Sequence, residues 1–323
     1  MTGHEAETKA RTPARAGAGD APASGCPGRV LAIMNPKAGA AAGDSIRRAL
    51  SGCFAEDKCR LEVHETAEGE DLGAFIRDRL AKGVDLVVAV GGDGTVSSVA
   101  DAMVGSGTPM GIVPMGTANV LARELKIPVD LDGAAGLLVA GHAHATIDAM
   151  RVGGRNYLTQ VGVGLDALMI RDTSTEQKRR FGKAAYLWTA LTRLAGHQPR
   201  TFTLEVDGRP IKSKASQVIV ANVGTLGQPP FRWGPDIRLD DGKLDVCISK
   251  ARTLIHYLGL AWHVVTRRHR ADPNVRYDRA ERSVSIATRH PVPVQADGEI
   301  IGETPVVVEV VPGALTVIVP APG

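Results

Sequence analysis

Residues 84–99 read V-D-L-V-V-A-V-G-G-D-G-T-V-S-S-V, and this stretch decides the fold. The apolar, valine-rich run from Val84 to Val90 has the composition of a parallel strand buried on both faces. It stops at glycines, after which a helical pattern begins. A strand–turn–helix unit of this kind puts its turn at the carboxyl edge of a parallel sheet, where open α/β folds bind ligands. Gly91, Gly92 and Gly94 let backbone N–H groups approach an anion with no Cβ in the way, and the helix start adds partial positive charge. Phosphate suits both features. Asp93, a carboxylate set among those glycines, would repel a phosphate unless a divalent cation such as Mg²⁺ stood between them. Thr95 is placed to cap the helix or to bond a phosphate oxygen. The plainer account of the same residues is a tight turn in which Asp93 caps a helix.

The pattern outward from this stretch is alternating. A strand at 29–34 runs into N-P-K-A-G at 35–39, which places the Asn35 amide and the Lys37 cation at the same sheet edge. A helix at 43–54, a strand at 59–64 and a helix at 71–81 lead back to the central strand. Strands alternating with helices define a parallel α/β layer. After a helix at 95–104, M-G-I-V-P-M-G-T-A-N at 110–119 is a second strand and turn, with Gly116 in the turn and Thr117 and Asn119 where the helix V-L-A-R-E-L-K begins. Two glycine turns therefore face one crevice.

The second half reads as β-rich. Alternating segments fall at 201–206, 216–223, 244–249, 283–287 and 292–295, with further strands at 306–311 and 314–319, and D-G turns at Asp207-Gly208 and Asp241-Gly242 break the series. Two helices interrupt it. One spans 183–194; the other spans 254–266 and is expected to pack its apolar face on the sheet, although the R-R-H-R that follows at 267–270 also suits a membrane surface.

N-P-K-A-G, G-G-D-G-T and P-M-G-T-A-N-V-L-A-R-E-L-K-I-P, in this order and spacing, resemble the diacylglycerol kinase catalytic-domain family, which includes bacterial lipid kinases and sphingosine and ceramide kinases. The likeness continues through V-G-V-G-L-D-A at 161–167, P-D-I-R-L-D-D-G-K-L-D-V at 235–246 and Asp297-Gly298-Glu299. It implies an α/β N-terminal domain, related to NAD kinase and diacylglycerol kinase, followed by a β-rich, sandwich-like C-terminal domain. Residues 1–28, rich in Ala, Gly, Pro and Thr and without periodicity, read as a disordered arm; the resemblance implies that 29–145 bind nucleotide with a return of 313–323 to that domain, and that 146–312 bind the lipid.

The resemblance also assigns roles. Gly91, Gly92, Gly94 and Thr95 would cradle the phosphates of ATP, helped by Asn35, Lys37, Gly116, Thr117 and Asn119, and Arg123 would meet a substrate or nucleotide phosphate. Asp297 would be the general base, Glu299 would organise Mg²⁺, and Asp93 and Asp166 would belong to the same metal network. Asp297→Asn is then expected to fold normally and lose turnover. Asp241 is assigned either a structural divalent ion or a plain type I′ hairpin turn. The chain departs from the family at Val120, where relatives often carry an acidic residue.

Bulk properties set limits. At 323 residues two domains are expected, and a net charge of only +3 argues against a dedicated nucleic-acid binder. Cys26, Cys53, Cys59 and Cys247 show neither C-x-x-C nor metal spacing, which suits reduced thiols in a cytosol. No apolar run reaches the ~20 residues of a membrane span, so membrane contact would be peripheral. The expected reaction is transfer of phosphate from ATP to a lipid hydroxyl. A kinase of a soluble alcohol such as NAD, which shares G-G-D-G-T, and a non-catalytic nucleotide- or lipid-binding regulator are the alternatives; a homodimer is left open. P-loop, dinucleotide-fold and zinc-peptidase motifs do not occur.

Overall fold

The computed structural model describes residues 28–36, 43–55, 59–165, 167–168, 199–225, 232–234, 236–251, 253–266 and 272–322. Residues 1–27, Lys37, Asp166, the expected helix at 183–194 and the arginine run at 267–270 lie outside them.

The first half alternates: β1 (Arg29–Met34), α1 (Gly43–Cys53), β2 (Arg60–Glu65), α2 (Leu72–Ala81), β3 (Leu86–Gly91), α3 (Asp93–Met103), β4 (Met110–Pro114), α4 (Val120–Glu124) and α5 (Leu131–Leu137). β2, β1, β3 and β4 pair in that order, all parallel. Every residue of β3 is buried, because helices cover both faces of a parallel sheet. Ile46 and Leu50 of α1, and Val96, Val99, Ala100 and Met103 of α3, supply the helical sides of this core at helical spacing. α3 begins two residues before its expected start, since extended Gly92 (φ −86°, ψ −174°) serves as its N-cap. Asp93 thus sits in the first helical turn, where the dipole favours a carboxylate.

The second half holds β5 (His142–Val152), β6 (Arg155–Tyr157), β7 (Gln160–Gly164), β8 (Arg200–Val206), β9 (Arg209–Ala215), β10 (Gln217–Ala221), β11 (Leu244–Ser249), α6 (Leu254–Val265), β12 (Val275–Ala280), β13 (Ser283–Thr288), β14 (Pro293–Ala296), β15 (Glu299–Glu303) and β16 (Val306–Pro320). β12, β11, β10, β7, β14 and β15 make a wholly antiparallel sheet. It packs against β8, β13 and the first part of β16 through a second core containing Val161, Val163, Phe202, Leu204, Val218, Val246, Ile286 and Val294. The α/β domain followed by a β-rich domain is the architecture expected from the sequence.

β16 replaces the two separate strands expected at 306–311 and 314–319. It is one strand bent at Gly313 (φ +58°), with a register shift against β5 between Val311 and Leu315. Its first part pairs with β13, and its last part lies parallel to β4, Val317 beside Met110. β5 and β16 thus run through both halves. Asp148 of β5 is 3% exposed and fixes the bend: its carboxylate accepts from Gly313 N (2.8 Å) and from Gly242 N (2.7 Å). The hairpin account of Asp241 does not hold, because no strand leads into the Asp241-Gly242 turn and only Gly242 has positive φ.

The cysteine expectation holds at Cys53 and Cys247, which are free, and is corrected at Cys59, which is disulfide-bonded. Spacing along a chain does not report which thiols meet in space.

Asp207 and Gly208 (φ 50° and 84°) join β8 to β9 with Val206 opposite Arg209, a two-residue type I′ turn. The Asp207 carboxylate accepts the N–H groups of Glu281 and Arg282 (both 2.8 Å) and Ser283 (3.0 Å), which ties this turn to the one before β13. Burial pushes its pKa up, but those three N–H groups and the Arg282 charge outweigh burial and leave it below the ordinary value. A carboxylate lowered in the native state adds stability above its unfolded pKa and loses it as pH falls through the native value. Asp207→Asn should therefore melt lower than wild type near neutral pH, with the gap closing in acid. Parallel thermal melts from about pH 7 to pH 2 check this, and a gap independent of pH would contradict it.

Candidate active site

The two glycine turns lie against each other. A Cβ on Gly116 would fall 2.7 Å from Gly92 Cα and 2.8 Å from Asn119 Oδ1, so the two backbones approach more closely than any side chain allows. Asn119 is left-handed (φ 47°) and closes its own loop, accepting from Gly116 N and donating to Gly116 O, each at 2.9 Å. Arg123 Nε donates to Ala118 O (2.9 Å), bracing the same loop from α4. Asp93 accepts at Oδ2 from Asn119 N (2.9 Å) and at Oδ1 from Val120 N (2.6 Å). It caps α4, the next helix, and keeps one lone pair on each oxygen for another partner. Thr95 is buried, and its side chain packs where a Gly91 Cβ would be. Thr117 is exposed at the loop tip. Asn35 N continues the ladder by donating to Val90 O (3.3 Å).

Asp297 and Gly298 (φ 46° and 89°) form the type I′ turn between β14 and β15, with Ala296 facing Glu299. This turn reaches across to α3. Asp297 Oδ2 accepts from Ser97 Oγ and Leu158 N (both 2.9 Å), and Oδ1 accepts from Thr159 Oγ1 (2.6 Å), Thr159 N (2.9 Å) and Gln160 N (3.2 Å). Five donors converge on one carboxylate, three of them successive backbone N–H groups. Glu299 is exposed at the start of β15, with Oε1 3.8 Å from where a Gly94 Cβ would stand. Nearby Tyr157 has its pKa pushed up, mostly by burial, with Asp101, Asp297 and Glu299 adding to the rise against an opposing pull from Arg155.

Asp93, Val96, Ser97, Ala118, Val120 and Leu121 from the α/β half, and Leu158, Thr159, Gln160, Thr225, Asp297 and Gly298 from the β-rich half, line one cleft of about 300 Å³. Of the three acids expected in catalysis, Asp93 and Asp297 line this common space, and Glu299 is not among its lining residues. Val120 adds apolar surface to it where an acid was noted as missing.

Sequence reasoning passed over the residues that join the halves. Glu124 of α4 holds Arg232 with two guanidinium contacts (2.8 and 3.1 Å) and accepts from Thr225 N (3.2 Å) and the Thr225 hydroxyl. Asp101 of α3 accepts from Asn156 N (2.8 Å) and Nδ2 (3.0 Å). Their partners are distant in sequence, and no local pattern announces them; Glu124, inside the A-R-E-L-K run, was the one quoted.

The residues present suit a nucleotide with a hard divalent cation. The side-chain-free approach of Gly92 to Gly116 leaves backbone exposed for phosphate, and Asp93 and Glu299 offer oxygen donors around the start of α3. Among the described residues no group of three or more His, Cys, Asp or Glu side chains forms a metal site by itself. Mg²⁺ commonly takes one or two carboxylates and completes its shell with phosphate and water.

Gly116→Ala should disrupt this end of the cleft, because both atoms that its Cβ meets belong to the paired turns. Nucleotide affinity is expected to fall at least about tenfold, with a loss of about 1–3 kcal/mol in stability. Calorimetric titration and thermal melts check this, and wild-type affinity would contradict it.

The sequence profile of the diacylglycerol kinase catalytic domain matches residues 29–152, and that of the YegS C-terminal NAD kinase beta sandwich-like domain matches residues 159–319. A protein of Pectobacterium atrosepticum named "Probable lipid kinase YegS-like" is 30% identical over 72% of this chain and 78% of its own length. An uncharacterized protein of Synechocystis is 30% identical over 74% of this chain, which spans 56% of that longer protein. The crystal structure of a diacylglycerol kinase from Bacillus anthracis str. Sterne superposes with a TM-score of 0.72 at 25% identity, covering 90% of this chain and 97% of the other. The chain belongs to the diacylglycerol kinase catalytic-domain family and is a lipid kinase by class.

Proposed function

We propose that this kinase transfers the γ-phosphoryl group of ATP to the hydroxyl of diacylglycerol or a similar membrane lipid, in the cleft between its halves. The observation that carries the reading is the meeting of Asp93 and Asp297, one from each half, beside paired glycine turns. Residues 29–145 with 313–323 serve the nucleotide, and 146–312 serve the lipid.

Gly91, Gly92, Gly94, Thr95, Gly116, Thr117 and Asn119, with Asn35 and Lys37, hold the phosphates through backbone N–H groups, amides and one cation. Arg123 meets a phosphate near α4. Asp93, Glu299 and Asp166 hold Mg²⁺, which when bound neutralises phosphate charge. Asp297 takes the proton of the lipid hydroxyl. Its carboxylate is already crowded, so the substrate O–H enters at Oδ2 as the Ser97 hydroxyl rotates away, while the backbone N–H groups keep the acid in place. Asp241, whose charge with that of Asp240 helps raise the Asp148 pKa behind the larger effect of burial, holds a separate structural divalent ion.

Peripheral contact with a cytoplasmic membrane face follows from such a substrate, and among the described residues no helix is long and apolar enough to cross a membrane. With Mg²⁺ and ATP, ADP release should require dispersed diacylglycerol and remain at background with NAD. Release driven by NAD and not by lipid would overturn the proposal.

A further inference from the structure

Asn222 follows the apolar run V-I-V-A at 218–221 and is itself fully buried. A polar group in such a place needs partners. Its Nδ2 lies between two main-chain carbonyls and donates to Leu158 O and Asp148 O, at 2.9 Å each. Its backbone N–H and that of Val223 donate to Thr159 O at 3.0 and 3.1 Å. With Nδ2 fixed between two acceptors, Oδ1 is left buried without a partner among the described residues. An apolar side chain would avoid that cost, so what the amide contributes here is its pair of N–H bonds.

Those bonds reach the cleft through the backbone. Leu158 and Thr159 lie in the bend between β6 and β7, outside the strand ladders, so their N–H and C=O groups must find partners elsewhere. The carbonyl of Leu158 shares one planar peptide unit with the N–H of Thr159, and the carbonyl of Thr159 shares the next with the N–H of Gln160. In both units the carbonyl is held from the Asn222 side, while the N–H donates to Asp297 Oδ1, at 2.9 and 3.2 Å. A peptide unit bonded at both ends is polarised, which makes its N–H a stronger donor. Oδ1 is thereby pinned, and Oδ2 keeps its place beside Ser97 and Leu158 N.

Resting on the reading of Asp297 as the general base, we infer that Asn222 is a positioning residue for that base and acts on it through the 158–159 and 159–160 peptide units. Asn222 does not line the cleft and has no exposed surface, so it meets neither nucleotide nor lipid. Its effect therefore falls on the chemical step and not on binding.

The test is a double-mutant cycle of Asn222→Ala with Asp297→Asn, read as phosphate transfer to dispersed short-chain diacylglycerol. Asn222→Ala should lower kcat about tenfold, because a loosened base costs rate steeply, while the KM values for ATP and lipid stay within about twofold of wild type. It should also melt lower, so turnover is taken per folded molecule well below the melting range. Asp207→Asn, outside the cleft, serves as the variant that loses stability and keeps kcat. In the Asp297→Asn background the Asn222 substitution should cost no further turnover, since a residue that acts through the base has nothing left to act on. If Asn222→Ala does not fold, Asn222→Ser is read by the same cycle. An equal loss in both backgrounds, or a wild-type kcat in the single Asn222 variant while Asp297→Asn is inactive, overturns the inference alone. Wild-type turnover by Asp297→Asn overturns the base reading and the inference with it.

Discussion

Asp297→Asn is expected to lose most turnover and also to melt lower than wild type. As a base, Asp297 contributes on the order of 10²–10⁴-fold in rate, and an amide cannot take the proton. The predicted fall in stability is added to the expectation that the variant folds and loses turnover. An amide presents one acceptor oxygen and an NH₂ group where five donors converge, so with the oxygen at the Thr159–Gln160 side the Leu158 N–H loses its acceptor. Ser97 can turn to accept; a backbone N–H cannot. An orphaned donor and a lost charged acceptor together cost about 2–3 kcal/mol, or roughly 5–10 °C at the few degrees per kcal/mol usual for domains of this size. Ser97→Ala and Thr159→Val, which remove donors and keep the carboxylate, should lose stability without a comparable loss of turnover. If all three variants lose stability and Asp297→Asn still turns over near the wild-type rate, Asp297 is only a clamp between the halves.

Asp148→Ala should be the most destabilising single change away from the cleft. It removes the shared acceptor of Gly242 N and Gly313 N at a position 3% exposed, just where β16 bends between the halves. Two unsatisfied N–H groups cost about 2–6 kcal/mol together, enough to lower the melting temperature by roughly 10 °C. The pH dependence runs opposite to that of Asp207. Burial above all, then the nearby Asp241 and Asp240, push the Asp148 pKa up against the pull of the two N–H groups. A carboxyl raised in the native state favours folding most while protonated, and that contribution is lost as pH rises through the native value. The stability gap between wild type and Asp148→Ala should therefore be widest in acid and narrow as pH rises. A gap that widens towards neutral pH would show that the ionised form is the one the site prefers.

What the sequence disclosed follows burial in most strands; β2, an edge strand that was legible, and β7, an inner strand read only as part of the family likeness, depart from it. β1, β3, β4, β8, β10, β11, β13 and β14 all sit inside sheets, and their apolar runs were legible. β9, β12 and β15 were not, and all three lie at sheet edges, where charge is used to discourage pairing with other chains: R-P-I-K-S-K-A, V-R-Y-D-R-A and E-I-I-G-E carry it. α5 escaped notice because Gly133 and Gly136 weaken its pattern, while its Asp130 cap, accepting from Gly133 N at 2.8 Å, is a purely local device. α6 was legible as a helix.

The site shows the same division. Glycines forced by close approach, and acids in the turns beside them, belong to short motifs and could be named from the chain. Asp148, Asp101 and the Glu124–Arg232 pair act across separations of 55 to 165 residues, and nothing local distinguishes them from surface charge. Asp297 was named as a base, but its five donors come from Ser97 and 158–160, so its second role as a clamp is visible only in three dimensions.

The most direct test of the central claim is transfer of labelled γ-phosphate from ATP to a total bacterial lipid extract, with Asp297→Asn and a soluble NAD sample alongside. The site described above predicts a labelled, phosphatidate-like lipid with wild type, little or none with Asp297→Asn, and no label in NADP. Label in NADP, or lipid labelling of equal strength by the variant, would contradict it.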